Sequence, residues 1–94
     1  MPSQTDISTE TLSEVHLQKP WNVIVHNDPV NLMQYVVRVF MTTLGMTKEK
    51  AVMHMMQVHK NGRSIVWTGD HEKAEYYMYQ LQKWHLTVSL EVAP

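Results

Sequence analysis

The residues best suited to chemistry lie in the segment His26-Asn27-Asp28-Pro29, which follows a short β-branched run. The segment places an amide oxygen and a carboxylate on one turn, directly before a stretch rich in methionine and aliphatic residues. Two interpretations are open, because Asn, Asp and Pro are also the residues that form turns and helix starts. Taken alone, the segment favours a simple turn, and a binding site needs support from elsewhere in the chain.

Nucleophilic catalysis has little support in the sequence. The chain has no cysteine and no Gly-x-Ser-x-Gly motif. His59 and Asp28 could form a His/Asp pair, but no obvious serine or threonine nucleophile accompanies them. The phosphate-binding motif G-x-G-x-x-G and the P-loop are also absent. The sequence therefore predicts a protein that is not an enzyme and that uses no cofactor.

The six histidines and eight methionines raise the question of a metal site. His54 and His59 are five residues apart, whereas a zinc-binding helix favours spacings of three or four. Met53, Met55 and Met56 could favour copper(I), but two of these side chains would face apart on a helix. Surface or partly buried histidines, and methionine as a flexible core filler, are the better interpretations. No metal is expected.

The composition describes one small domain without covalent staples. The 94 residues are 44% hydrophobic and 18% charged, so the chain can form a core, and the absence of cysteine removes disulfides. The formal net charge of −1 argues against nucleic acid as a partner, since phosphate binding depends on clustered positive charge. Because the chain has no cysteine and depends on its hydrophobic core, we expect a cytoplasmic protein. No apolar run approaches the ~18 residues that span a membrane, so we expect no membrane partner.

The spacing of apolar residues predicts three strands and three helices in the order β-α-α-β-α-β. The fold class expected from this order is α+β, a small three-stranded antiparallel sheet packed on one face by three helices. Asn31 and Gln34 fit a capping box at the first helix, and Thr47 and Asp70 are the predicted caps of the other two. The predicted strands are residues 22–26, 64–68 and 86–92, and the predicted helices end near Gly45, Gly62 and Trp84.

The start of the chain differs in character from the rest. Residues 1–20 are rich in Ser, Thr and Gln, and they lack the basic start and apolar centre of a signal peptide. We predict a flexible N-terminal tail over residues 1–20, closed by Pro20, and one folded domain over residues 21–94.

Three stretches of the sequence resemble the ClpS adaptors, which hand N-end rule substrates to a Clp-type AAA+ unfoldase. The first is Asn-Asp-Pro-Val-Asn-Leu-Met at residues 27–33, with its lead-in Val-Ile-Val at residues 23–25. The second is Met-Met-Gln-Val-His at residues 55–59, followed by Asn61-Gly62, and the third is Leu86 at the start of the last strand. The resemblance covers about residues 21–92 and implies a ClpS-like β-α-α-β-α-β domain with a non-enzymatic role.

The resemblance also implies roles for individual residues. Asn27, Asp28 and His59 are similar to the groups that hold the free α-amino group of a substrate. Met33 matches the gate against β-branched first residues, and Val30 and Asn31 occupy the turn that shapes the pocket rim. The implied walls of the pocket for the first side chain are Met33, Val36, Met55, Val58 and Leu86.

Two further positions fall on the docking surface that the resemblance implies. Glu72 lies where the family has an acidic contact to the unfoldase, and Tyr77 lies where some members carry lysine. The partner implied is the N-terminal domain of a ClpA- or ClpC-type unfoldase, and the adaptor itself is expected to be a monomer.

The chemistry of an α-ammonium group agrees with this assignment. The group has three N–H donors and no acceptor, so its site needs about three acceptors. The expected acceptors are the Asn27 amide oxygen, the carboxylate or the carbonyl oxygen of Asp28, and a neutral His59 ring nitrogen. The expected function is an adaptor for substrates that begin with Leu, Phe, Tyr or Trp. The alternative is a structural or ribosome-associated interaction module, which would use an exposed helix face and would not bring these three side chains together.

Overall fold

The computed structural model describes residues 18–94, so most of the predicted tail, residues 1–17, lies outside the described residues. The order of elements is β-α-α-β-α-β, which confirms the predicted fold class. The elements are β1 (Trp21–His26), α1 (Met33–Leu44), α2 (Lys48–Asn61), β2 (Arg63–Gly69), α3 (His71–Lys83) and β3 (Thr87–Val92).

The three strands form one antiparallel sheet in the order β2-β1-β3. β1 is the central strand, and its residues Val23, Ile24 and Val25 are all buried. This burial explains why the strand is a continuous apolar run and does not alternate between apolar and polar residues. Val23 and Val25 face the helices, where they join the main core. On the opposite face, an ion pair between Arg63 Nη2 and Glu91 Oε2 (2.7 Å) joins the two outer strands across β1.

The helices pack on one face of the sheet around a core of small and medium-sized apolar side chains. Phe40 from α1, Ala51 from α2, and Ala74 and Leu81 from α3 are completely buried. The alanines let the helices approach the sheet closely, and Phe40 fills the space between them. No helix within residues 18–94 is long and apolar enough to cross a membrane.

The starts of two of the three helices follow the predicted capping chemistry. The Thr47 hydroxyl accepts a hydrogen bond from the Lys50 N–H, and the Asp70 carboxylate accepts one from the Lys73 N–H. The capping box predicted at Asn31 is wrong: α1 begins after Leu32, and no side chain caps it. Asn31 is instead used in a long-range contact, described below, that no local pattern encodes.

Candidate functional site

A cavity of about 350 Å³ lies where β1 ends and where α1 begins and α2 ends; we call it the β1 cavity. Its volume is at the lower end of the usual range for small-ligand pockets, about 300–1,000 Å³. The cavity brings together nearly all of the predicted binding residues, and it adds four that were not predicted. The predicted residues that line it are Asn27, Asp28, Asn31, Met33, Val36, Met55, Val58, His59 and Leu86, and the additional ones are Val25, His26, Pro29 and Leu32.

The apolar wall of the cavity comes from three elements whose spacing fits their role. Met33 and Val36 are three positions apart on α1, and Met55 and Val58 are three positions apart on α2, so each pair shares one helix face. Leu86 precedes β3 and is buried, as are Val36 and Val58. The two methionines are partly exposed, which places flexible side chains at the open part of an otherwise buried wall.

The polar side of the cavity is built by backbone contacts between the end of β1 and the end of α2. Gly62 ends α2 in the left-handed conformation (φ 86°) and turns its carbonyl oxygen towards the Asn27 N–H, at 2.9 Å. His59 lies in the last turn of α2, one helical turn after Met55. The Asn27–Gly62 hydrogen bond therefore holds Asn27 and His59 on the same rim, and both side chains are exposed.

The Asp28 carboxylate is fixed in place by two donors. Oδ1 accepts a hydrogen bond from the Val30 N–H (2.9 Å), and Oδ2 accepts one from the Thr87 hydroxyl (3.4 Å). These bonds leave lone pairs on both oxygens, since a carboxylate has about four acceptor sites. Val30 contributes this backbone donor, but its side chain is 83% exposed and does not line the cavity. Thr87 was not predicted, because only the pairing of β1 with β3 brings it near Asp28.

Two long-range hydrogen bonds hold the loop before Leu86. The Asn31 side-chain amide donates to the carbonyl oxygen of His85 (3.0 Å), and the Tyr35 hydroxyl donates to that of Trp84 (2.5 Å). His85 is in the left-handed region (φ 68°), which is uncommon for residues other than glycine. The start of α1 therefore clamps the loop that presents Leu86.

A buried polar group lies behind the cavity wall, between α2 and β2. The Ser64 hydroxyl donates to Gln57 Oε1 (2.6 Å), so His54 Nδ1, 2.8 Å from the same hydroxyl, must carry the proton and donate to it. Burial and the nearby Lys50 ammonium lower the pKa of His54. Hydrogen bonding to the Gln57 side chain raises this pKa, but by less. His54 is therefore a structural histidine that ties α2 to the sheet.

The two predicted docking residues lie on α3, away from the cavity. Glu72 is exposed in the first turn of the helix. Tyr77 is partly buried, with its ring centroid 5.0 Å from that of Trp67. Tyr76 and Tyr79 on the same helix are more exposed, at 57% and 59%.

The arrangement is suited to binding a small ligand. Oxygen and nitrogen acceptors lie at the exposed rim and apolar side chains form the buried wall, which fits a ligand with a cationic donor next to an apolar group. The described lining residues include no hydroxyl or thiol that could act as a nucleophile. Within residues 18–94, no three His, Asp or Glu side chains are grouped so that they could hold a metal ion.

Comparisons with known proteins agree with this architecture. The family model for the ATP-dependent Clp protease adaptor protein ClpS matches residues 16–89. The ClpS adapter protein of Streptomyces coelicolor is 39% identical over 88 residues, which cover 94% of this chain and 92% of that protein. The corresponding protein of Corynebacterium glutamicum is 47% identical over 70 residues, 74% of this chain and 68% of the relative.

A solved structure shares the fold. Agrobacterium tumefaciens ClpS2 bound to L-phenylalaninamide superposes with a TM-score of 0.72 at 22% identity, covering 80% of this chain and 98% of that one. At this identity the likeness concerns the fold, whereas the family follows from the matches in sequence. The chain belongs to the ClpS family of ATP-dependent Clp protease adaptors.

Proposed function

We propose that the β1 cavity binds the first residue of proteins marked for degradation, with a free α-amino group at the rim and a Leu, Phe, Tyr or Trp side chain inside. The observation that carries the proposal is the convergence of Asn27, Asp28 and His59 on one cavity with a buried apolar wall. The alternative function, a structural or ribosome-associated interaction module, does not require that convergence. The ClpS2 relative was solved with L-phenylalaninamide, a molecule that has a free α-amino group next to a benzyl side chain.

The electrostatics of the rim support an ammonium ligand. Asp28 is the carboxylate on the cavity lining, and the hydrogen bonds from Val30 and Thr87 hold it in position before a ligand arrives. Hydrogen bonds to a charged group contribute roughly 1.5–3 kcal/mol each. Burial of a Leu or Phe side chain adds roughly 1.5–3 kcal/mol. Neither part alone offsets the cost of association, so both the amine and the side chain are needed.

The uncapped start of α1 supports a third contact. Leu32 and Met33 line the cavity, and no side chain caps the helix there. The first N–H groups of a helix have no partner inside the helix, so a ligand can satisfy them. The carbonyl oxygen of the substrate's first residue lies close to its α-amino group along the backbone. It is therefore the acceptor suited to the free N–H groups at the start of α1.

Peptide binding tests the proposal directly. A labelled peptide that begins with Phe or Leu is expected to bind at micromolar or tighter concentration, whereas its N-acetylated form and a version with an added first Met are expected to lose at least tenfold in affinity. The acetyl group removes the ammonium charge and leaves the side chain intact, so it isolates the contribution of the rim. Equal binding of the free and acetylated peptides would exclude recognition of the first residue.

The second part of the proposal concerns delivery. We propose that α3, through the exposed Glu72 and the neighbouring surface at Tyr77, docks on the N-terminal domain of a ClpA- or ClpC-type unfoldase, and that the adaptor acts as a monomer. Glu72→Lys is expected to weaken binding to that domain severalfold while peptide affinity stays the same. Equal affinity of Glu72→Lys and the parent protein for that domain would show that the first turn of α3 is not part of the docking surface.

A further inference from the structure

A second concave surface lies on the outer side of α1 and α2. It encloses about 620 Å³, and we call it the α1–α2 groove. Met33, Val37 and Met41 follow each other at four-residue spacing along α1, and Val52 and Met55 face them from α2. Met41 and Val52 are 37% and 36% exposed. An apolar stripe of this kind, left open to water along two helices, is typical of a surface that another segment covers.

The charges around the groove have one sign. Arg38 and Lys48 are among its lining residues, and none of the described lining residues is acidic. The nearest acid in sequence, Glu49, does not line the groove. Within residues 18–94, neither Arg38 nor Lys48 forms an ion pair. An apolar floor with two unpaired cations is complementary to a segment that is both apolar and acidic.

We propose that the chain's own residues 1–17 bind in the α1–α2 groove. This segment carries three acidic side chains, Asp6, Glu10 and Glu14, and no lysine or arginine. It also carries apolar side chains that can cover the methionine and valine floor, namely Ile7, Leu12, Val15 and Leu17. The acidic side chains of the segment therefore face a groove whose charged side chains are both cations.

The segment is long enough, and its tether favours a weak contact. Seventeen residues extend to at most about 56–61 Å. A domain of the size of residues 18–94 is roughly 30 Å across, so every point of its surface is within reach. A short tether raises the local concentration of a segment to about the millimolar range. A contact too weak to form between separate molecules can therefore be well populated within one chain.

The position of the groove links this contact to ligand binding, a consequence that depends on the proposed function. Met33 and Met55 line both the groove and the β1 cavity. A segment packed on the outer side of these two side chains restricts their movement and competes with the adjustments that a large first residue requires. The bound segment is therefore expected to lower the affinity for peptides that begin with Phe or Trp severalfold.

A spin label placed on the intact chain tests the contact, because the chain has no cysteine of its own. Ser8→Cys gives a single labelling site within the segment, and ¹³C-methyl methionine reports on the groove. The label is expected to reduce the methyl signals of Met41 and Met55 at least twofold. Met53 is 47% exposed on α2 but does not line the groove, so its signal is the internal control. Equal broadening of Met41 and Met53, or none, would overturn the proposal.

Charge reversal tests the reason for the contact. The double variant Arg38→Glu and Lys48→Glu is expected to abolish the broadening, and added salt at about 0.5 M is expected to weaken it. Adding Asp6→Lys, Glu10→Lys and Glu14→Lys to that double variant is expected to restore it. The matched control reverses two exposed cations outside the groove, Lys60→Glu and Lys83→Glu, and is expected to change nothing. Failure of the combined variant to restore the broadening would refute charge complementarity.

Two further measurements distinguish this contact from the binding of a second copy of the chain and from the proposed peptide-binding function. A mixture of spin-labelled chain without ¹³C and unlabelled chain with ¹³C-methyl methionine is expected to show no broadening. Broadening in the mixture would mean that a second copy fills the groove, and it would overturn the intramolecular contact. The broadening itself needs no peptide. If it is present and no Phe-peptide binds, the contact stands and the proposed function fails.

Discussion

The β1 cavity and the α1–α2 groove share two lining side chains, and they differ in the sign of the charged side chains that line them. Met33 and Met55 line both, with the cavity on one side of these side chains and the groove on the other. The charged acid on the cavity lining is Asp28, whereas the groove has Arg38 and Lys48. One pair of helices can therefore offer the same apolar side chains to two ligands, and we expect the polar neighbours to decide which ligand each side accepts.

The two surfaces also differ in how their polar groups are held. The Asp28 carboxylate accepts hydrogen bonds from the Val30 N–H and the Thr87 hydroxyl, and the backbone of Asn27 is held by its N–H bond to the Gly62 carbonyl oxygen. The cations of the groove stand at the ends of long side chains on helix positions that are partly or fully open to water. Groups held before binding lose little entropy when a ligand arrives, whereas long exposed side chains lose more and their charges are screened. We therefore expect tight, directional binding in the cavity and weak, salt-sensitive binding in the groove.

Removal of the cavity's negative charge is the change with the largest expected effect. Asp28→Asn keeps an oxygen that can accept from the Val30 N–H, but it removes the negative charge that the proposed function pairs with the ammonium group. Loss of one charged hydrogen bond corresponds to a reduction of about 10- to 100-fold in affinity for a Phe-peptide. Fluorescence anisotropy with the free-amine peptide measures it. Glu72→Gln removes the same charge from α3 and should leave this affinity unchanged; a loss there as large as for Asp28→Asn would point to a long-range effect of net charge.

Shortening of Met33, which lines both the cavity and the groove, is the change with the next largest expected effect. Met33→Ala is expected to admit peptides that begin with Ile or Val, raising their affinity about tenfold, because a discrimination of one or two carbon atoms corresponds to ~1–3 kcal/mol. Met33 is 42% exposed and opens α1, so alanine is expected to preserve the fold. Met53→Ala is the matched control, since Met53 is similarly exposed on α2 and lines neither surface.

Met41→Ala extends this test to the groove, because Met41 lines the groove and not the cavity. It is expected to leave the selectivity for first residues unchanged while weakening the contact with residues 1–17. If Met33→Ala gave no gain for either Ile or Val peptides, Met33 would not be the gate. A gain from Met41→Ala equal to that from Met33→Ala would erase the distinction between the two surfaces.

The sequence was sufficient for the fold because each element carries its own local signals. Thr47 and Asp70 cap their helices as predicted, Gly62 ends α2, and the central strand is apolar throughout its middle. The start of α1 is the instructive failure. Asn31 has the right residue type and spacing for a cap, but its amide binds the His85 carbonyl, 54 positions away. A local motif and a tertiary contact compete for the same side chain, and the sequence does not reveal which one prevails.

The site was predictable in its motif residues but not in the residues that support them. The resemblance supplied the polar rim and the apolar wall, and the cavity brings those residues together apart from Val30. Thr87 and Tyr35 were missed because their partners, Asp28 and Trp84, are 59 and 49 positions away. Contacts of this separation depend on strand register and helix packing, which periodicity does not determine. Knowing that β1 pairs with β3 would have been sufficient to find Thr87, which lies opposite His26.

Tyr35→Phe tests one of these supporting residues, with a smaller expected effect. It removes the hydrogen bond to the Trp84 carbonyl and leaves the ring, so the loop that presents Leu86 becomes less fixed. We expect a loss of about 1 kcal/mol in the free energy of unfolding. We also expect a severalfold change in the ratio of affinities for Trp- and Leu-peptides. Tyr79→Phe removes an exposed hydroxyl from α3 and is the control. A loss of stability with an unchanged ratio would assign Tyr35 a role in stability alone.

The smallest expected effect concerns acidity and the buried His54, which precedes the shared Met55 on α2. Burial and Lys50 lower the pKa of His54 in the folded chain below its ordinary value of about 6.5. On acidification the unfolded chain takes up this proton first, so the stabilisation is complete above about pH 6.5 and decreases as the pH falls below it. Urea unfolding at about pH 7.5, 6.5 and 5.5 should therefore show a decline in the free energy of unfolding that is shallower in His54→Gln. An equal decline in the parent protein and in His54→Gln would show that protonation of His54 does not oppose folding.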